Sequence, residues 1–193
     1  NELRIAFDYF LRGHRGAGTS NLAEAGGFAR SSLAPDARAD IQFHFVPAML
    51  DNHGRHRLPG DGYTLHACPL HPHSRGQLRL RDADARSPPR IHANYLGDAA
   101  GHDLKMMLEC ARLSRRILQQ PAFDRWRGAP VFPARNALDD AALEAFIRAK
   151  AETIYHPVGT CALGTHAGAV VDPQLRVRGV AGLRVVDASV MPN

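Results

Sequence analysis

Period-two alternation, repeated in short runs between turn residues, is what most constrains the fold of this chain. In Ile41-Gln42-Phe43-His44-Phe45-Val46 the apolar Ile41, Phe43 and Phe45 face one way, and Gln42 and His44 face the other. The same rhythm returns at Tyr63–Ala67, Gln77–Arg81 and Ile91–Tyr95. Turn formers bound these runs, notably Leu58-Pro59-Gly60-Asp61-Gly62 and Ser87-Pro88-Pro89. Alternation with one wet face is the signature of an antiparallel sheet. The period then changes. Over Asp103–Gln120, Leu104, Met107, Leu108, Ala111 and Leu118 follow helical spacing, and Met106, Cys110, Leu113 and Ile117 widen the stripe. That helix opens near an Asp and stops before Pro121, as a capped helix should. A second helix reads over Asp139–Ala151, burying Leu143, Phe146 and Ile147. The Gly- and Ser-rich stretch Gly13–Gly27 reads as loop, and Leu175–Val177 and Leu183–Val186 as short strands. The expected class is α+β: an antiparallel sheet covered on one side by helices.

With 193 residues the chain can bury one full core, and no apolar run is long enough to span a bilayer. A net charge of +5 raises the question of nucleic acid. The positive residues, nearly all Arg, are scattered along the whole chain and interleaved with acids, so no clustered footprint forms and nucleic acid is not an expected partner. Cys68, Cys110 and Cys161 stand far apart without a C-x-x-C pair, which fits buried thiols in a reducing compartment. Asn1 and Asn193 read as cut ends of a longer chain.

Two segments could carry chemistry. In Tyr155-His156-Pro157-Val158-Gly159-Thr160-Cys161 an imidazole opens a Pro/Gly turn that cannot continue the preceding helix. Imidazole suits proton transfer near neutral pH, and such a junction could hold it over a cleft. A helix-terminal His that only caps carbonyls accounts for the same residues, so both readings stand on local grounds. In Val185-Val186-Asp187-Ala188-Ser189 a short apolar strand meets a polar stop. By itself it reads as an ordinary buried strand end.

Taken in order, the His156 segment, Val171-Asp172-Pro173 and Gly182–Pro192 resemble the C-terminal signature of the glucose-methanol-choline (GMC) flavin oxidoreductases. Asp40–Phe45 and His73-Ser74-Arg75-Gly76 resemble strands of that family's substrate domain, and the likeness leans towards choline-dehydrogenase-like alcohol dehydrogenases. The resemblance implies a substrate-binding domain over residues 1–164 and a segment, 165–193, returning to an FAD-binding domain. It implies FAD as cofactor and a primary alcohol oxidised to an aldehyde. His156 would be the base, Tyr155 a wall of the substrate space, and Asp187 and Ala188 a turn offering backbone donors to FAD; no metal is called for. A small alcohol is the implied partner, and the electron acceptor is left open. The implied location is the cytoplasm, with peripheral contact to the inner membrane open, although no amphipathic anchor reads from these residues.

The departures also matter. No strand–G-x-G-x-x-G–helix is present, and Gly13-His14-Arg15-Gly16-Ala17-Gly18 lacks a preceding strand. The family's second catalytic residue lies beyond Met191-Pro192 and so past Asn193. The chain alone is therefore expected to be inactive. Two rivals remain at this point: a non-catalytic binding module that retains the sheet, and a metalloprotein built on His53, His56, His66, His71 and His73.

Overall fold

In the computed structural model, residues 2–133 and 139–192 are described. The chain divides into two compact units. One comprises the residues up to Pro72 together with His102–Ala151; the other comprises His73–Gly101 and the residues from Glu152 onward.

The first unit opens with helix α1 (Glu2–Leu11), on which Leu3, Phe7, Phe10 and Leu11 are exposed. Its centre is an antiparallel sheet of β1 (Ala25–Ala29), β2 (Ile41–Val46) and β5 (Thr64–Pro69), with β2 in the middle. A two-residue pair, β3 (Leu50–Asp51) and β4 (His56–Arg57), forms a small hairpin between β2 and β5. Register sets the buried face. Ile41 lies opposite Ala29 and Pro69, Phe43 opposite Gly27 and Ala67, and Phe45 opposite Ala25 and Leu65. Opposed residues share a face, so the apolar set of β2 is continued on both neighbours.

Helix α2 (His102–Leu118) closes that face. Met106 and Cys110 are buried against Ile41 and Phe43, with Leu113, Ile117, Ala29, Leu65 and Ala67 packed around them. The buried seam is thus Met106-Cys110-Leu113-Ile117, spaced four, three and four, and not the Leu104-Met107-Leu108-Ala111 stripe read as primary from the sequence. Both stripes are apolar, and the sheet could cover only one of them fully. Each large side chain buried here contributes on the order of 1.5–3 kcal/mol. Burial pushes the Cys110 thiol up to about 12, with lesser contributions from Cys68, Asp40 and Glu109, so it packs as a neutral hydrophobe.

Helix α3 (Asp140–Lys150) is capped by Asp139, whose carboxylate accepts from the Ala142 N–H at 2.8 Å. Arg112 of α2 reaches Glu109 at 2.7 Å and Asp140 at 2.6 Å, linking the two helices by a partly exposed bridge. Leu143 and Ile147 are buried and Phe146 is half-buried.

The loop reading of Gly13–Gly27 holds only in part. Residues Gly16–Thr19 form a 3-10 turn, and β1 begins at Ala25. Gly26 explains why a glycine can sit in a strand there: a Cβ would stand 2.8 Å from the Phe43 carbonyl oxygen. The close approach of β1 to β2 excludes a side chain, which period counting cannot anticipate.

The second unit begins with an antiparallel hairpin of β6 (Gln77–Arg79) and β7 (Arg90–His92). Both strands are shorter than their alternation suggests, and β7 stops before Asn94, which takes a left-handed φ of 55°. Beyond Leu163 the expected strands reduce to isolated bridges: Leu163 with Val171, Val171 with Val177, and Arg176 with Arg184. Asp172 accounts for much of this. Its carboxylate accepts from the Gln174 N–H at 2.9 Å, the Arg176 N–H at 3.0 Å and the Arg176 guanidinium at 2.7 Å. Side-chain bonds of this kind compete with a ladder. Left-handed Leu175, Gly179 and Gly182 then turn the chain every few residues. Val171 and Ala169 are buried at the centre of this region. Among the described residues no helix is long and apolar enough to cross a membrane.

Candidate functional site

The His156 segment is a turn and not a helix end. Helix α3 finishes at Lys150, six residues earlier, where the Ala151 N–H still reaches the Ile147 carbonyl at 2.7 Å. His156 belongs to the other compact unit. Thr153 and Ile154 are half-buried and anchor the segment. The Tyr155 N–H donates to the Thr153 hydroxyl at 2.9 Å, and Tyr155 takes a φ of 65°. A left-handed non-glycine residue costs roughly 1–2 kcal/mol and persists only where its surroundings hold it. Pro157 and left-handed Gly159, with a φ of 84°, fix the far side. The outcome is a crest on which Tyr155, His156, Pro157 and Val158 are all exposed.

The second motif folds as a capped 3-10 turn, Ala188–Val190, following Asp187 in extended backbone. The Asp187 carboxylate accepts from the Ser189 N–H at 2.8 Å and from the Ser189 hydroxyl. Those bonds, the hydroxyl's first, hold the Asp187 carboxyl below the usual carboxylate range. An anion already engaged by Ser189 is a poor ligand for a phosphate. The backbone donors that follow are also engaged within the turn: the Val190 N–H donates to the Asp187 carbonyl and the Met191 N–H to the Ala188 carbonyl, each at 3.2 Å.

The two motifs are fastened to each other. Just after the crest, the Cys161 N–H donates to the Ser189 carbonyl and the Leu163 N–H to the Val190 carbonyl, each at 3.0 Å. The sequence reading did not foresee this stitch. A signal in the sequence is that the run Cys161-Ala162-Leu163 is free of turn residues. Exposed apolar side chains surround the stitched region along the chain: Tyr155, Val158, Leu183, Val186 and Met191.

Two clefts among the described residues lie elsewhere. One of about 630 Å³ is lined by β6 and β7, and one of about 610 Å³ by Asp8, Arg12, Arg15 and Gly16. Neither includes His156 or Asp187. Side-chain chemistry and backbone constraint mark the His156 crest. The histidines read as a rival metal site do not assemble: among the described residues no three His, Cys, Asp or Glu side chains could hold a metal. His56 instead faces Asp51 at 3.6 Å. The Gly13–Gly18 stretch follows α1 and not a strand, so it cannot act as a dinucleotide turn.

Comparison with known proteins adds four findings. Residues 72–193 match the family described as GMC oxidoreductase, through its C-terminal part. The chain is 45% identical over 187 residues to an alcohol dehydrogenase [acceptor] of Pseudomonas putida, covering 97% of this chain and 33% of that protein. It is 41% identical over 193 residues to an oxygen-dependent choline dehydrogenase of Paraburkholderia phymatum, covering 100% of this chain and again 33% of the relative. The chain thus spans about a third of these curated relatives. Its fold superposes on the crystal structure of pyridoxine 4-oxidase from Mesorbium loti with a TM-score of 0.77 at 28% identity, over 89% of this chain and 34% of that one.

Proposed function

The chain belongs to the GMC oxidoreductase family, and on that premise we propose that it is the substrate-side and C-terminal part of an FAD-dependent enzyme oxidising a primary alcohol to an aldehyde. The observation that carries the proposal is the exposed, turn-fixed His156 fastened through Cys161 and Leu163 to the Asp187–Ser189 turn. FAD, when bound, supplies the hydride acceptor. His156 takes the proton from the substrate hydroxyl, which makes the adjacent C–H a far better hydride donor. Tyr155, held beside it by Thr153, walls the substrate and helps to exclude water. Backbone groups at Asp187 and Ala188 hold the cofactor while the Asp187 side chain keeps their turn in shape.

In this reading residues 165–193 return to an FAD-binding lobe, which would also cover the exposed Val186 and Met191. The chain by itself is then inactive, since its half of the site is open. The relatives act on alcohols or choline by their names, but the substrate here is taken no further than a small alcohol. A cytoplasmic location, with peripheral contact to the inner membrane left open, belongs to the same proposal. The test uses the longer protein containing this chain. His156→Ala should lower kcat by roughly 10²–10⁴-fold while flavin absorbance is retained. An unchanged rate removes His156 from the reaction; lost flavin makes its role structural.

A further inference from the structure

The β6–β7 hairpin carries a charge arrangement that its own fold does not explain. Cross-strand register pairs Gln77 with His92, Leu78 with Ile91, and Arg79 with Arg90. Residues two apart on a strand share a face, so Gln77, Arg79, Arg90 and His92 lie on one side and Leu78 and Ile91 on the other. The first set, with Arg75 and Asn94, lines the cleft of about 630 Å³. Arg79 opposite Arg90 sets like charges directly across a strand pair, which destabilises an isolated hairpin.

Arg79 Nε donates to the Gln77 side-chain oxygen at 2.7 Å, and among the described residues neither Arg79 nor Arg90 has a carboxylate within ion-pair distance. The acids of the connecting loop are engaged inside it. Asp84 holds Arg86 through contacts of 3.0 and 3.1 Å, and Asp82 accepts from the Ser87 hydroxyl at 2.9 Å. The cleft also depends on close backbone approach. A Cβ on Gly76 would stand 2.4 Å from the His92 carbonyl oxygen and 2.7 Å from that of Ala93. The Asn94 amide ties the two sides by donating to the Arg75 carbonyl at 3.0 Å.

We infer that the β6–β7 cleft is a binding site for a soluble phosphate-bearing anion, held between Arg79 and Arg90 with Arg75 and His92 at its edges. Guanidinium groups present planar forks that match phosphate oxygens, and several cations in one cleft favour a dianion over a monoanionic carboxylate. The bound anion removes the Arg79–Arg90 repulsion, so occupancy stabilises the hairpin by linkage. No residue of this cleft belongs to the His156 segment, and the inference does not need flavin.

The test titrates the longer protein containing this chain at low ionic strength with inorganic phosphate, glycerol phosphate, acetate and vesicles containing phosphatidic acid, using calorimetry. Both phosphates should saturate a single site, with acetate binding much more weakly. Arg79→Gln and Arg90→Gln should each weaken phosphate binding about 10-fold or more, as expected for a lost charged hydrogen bond. Arg86→Gln, whose guanidinium is already paired with Asp84, should bind like wild type. Thermal unfolding gives a second readout: phosphate should raise the midpoint of wild type and of Arg86→Gln, and not of the cleft variants. Non-saturating heats, equal loss in Arg86→Gln, acetate binding as well as phosphate, or binding only to vesicles containing phosphatidic acid would each overturn the inference.

Discussion

The two compact units are stabilised in opposite ways. In the first, a three-stranded sheet and α2 bury Ile41, Phe43, Met106 and Cys110 almost completely. In the second, order comes from turns: left-handed Tyr155, Leu175, Gly179 and Gly182, the Asp172 and Asp187 side-chain caps, and single bridges around Val171. Its residues of chemical interest sit on top of this framework, exposed. Apolar burial gives stability without presenting functional groups. Turn chemistry presents them and leaves fewer buried contacts to hold the structure. The division of labour resembles loops carried on a scaffold, where catalytic side chains concentrate.

That contrast can be broken most sharply by pairing two substitutions. His156→Ala in the longer protein should remove roughly 10²–10⁴-fold of kcat and leave thermal stability nearly unchanged. Ile41→Ala should do the reverse, lowering unfolding free energy by about 2–5 kcal/mol in a urea titration, because Ile41 is 0% exposed. A large stability loss from His156→Ala would show that the crest is structural after all. Gly26→Ala should cost about 1–3 kcal/mol, since the added methyl meets a backbone oxygen that cannot swing aside. Asp139→Ala, which removes the α3 cap, should cost about 1 kcal/mol in the same titration.

A pH experiment refines the comparison further. The Cys110 thiol is raised by burial from an ordinary 9.0 to about 12 in the folded state. A raised pKa means that its contribution is fully present below the unfolded value and fades as pH rises from about 9 to about 12. Alkaline unfolding should therefore become less steep in Cys110→Ala than in wild type. At pH 8 iodoacetamide should label half-buried Cys161 well before Cys110, as read by mass spectrometry.

How much was legible in the sequence follows the same divide. The β2 alternation, the β5 run and both long helices could be read because their apolar residues recur with a period, and Pro121 marks the stop of the longer helix. What failed was choice among equals. Two apolar stripes on α2 were readable, and only contact with Ile41 and Phe43 selects Met106-Cys110-Leu113-Ile117. Helix α1 and the β3–β4 hairpin went unread; β1 was hidden by glycines that serve close strand approach. In the second unit, Leu175–Val177 and Leu183–Val186 have strand composition, but Asp172 and the left-handed turns override it. His156, Tyr155, Asp187 and Ala188 were singled out by motif order, a source of information that periodicity lacks. The arginine pair across β6 and β7 was invisible until register placed Arg79 opposite Arg90.

The backbone bonds from Cys161 to Ser189 and from Leu163 to Val190 have a practical corollary. Whatever displaces Ser189 and Val190 also pulls on the loop that carries the imidazole, for that loop has its mooring there. A protease nick or bulky insertion placed close to Ser189 should thus unsettle residues some thirty positions upstream.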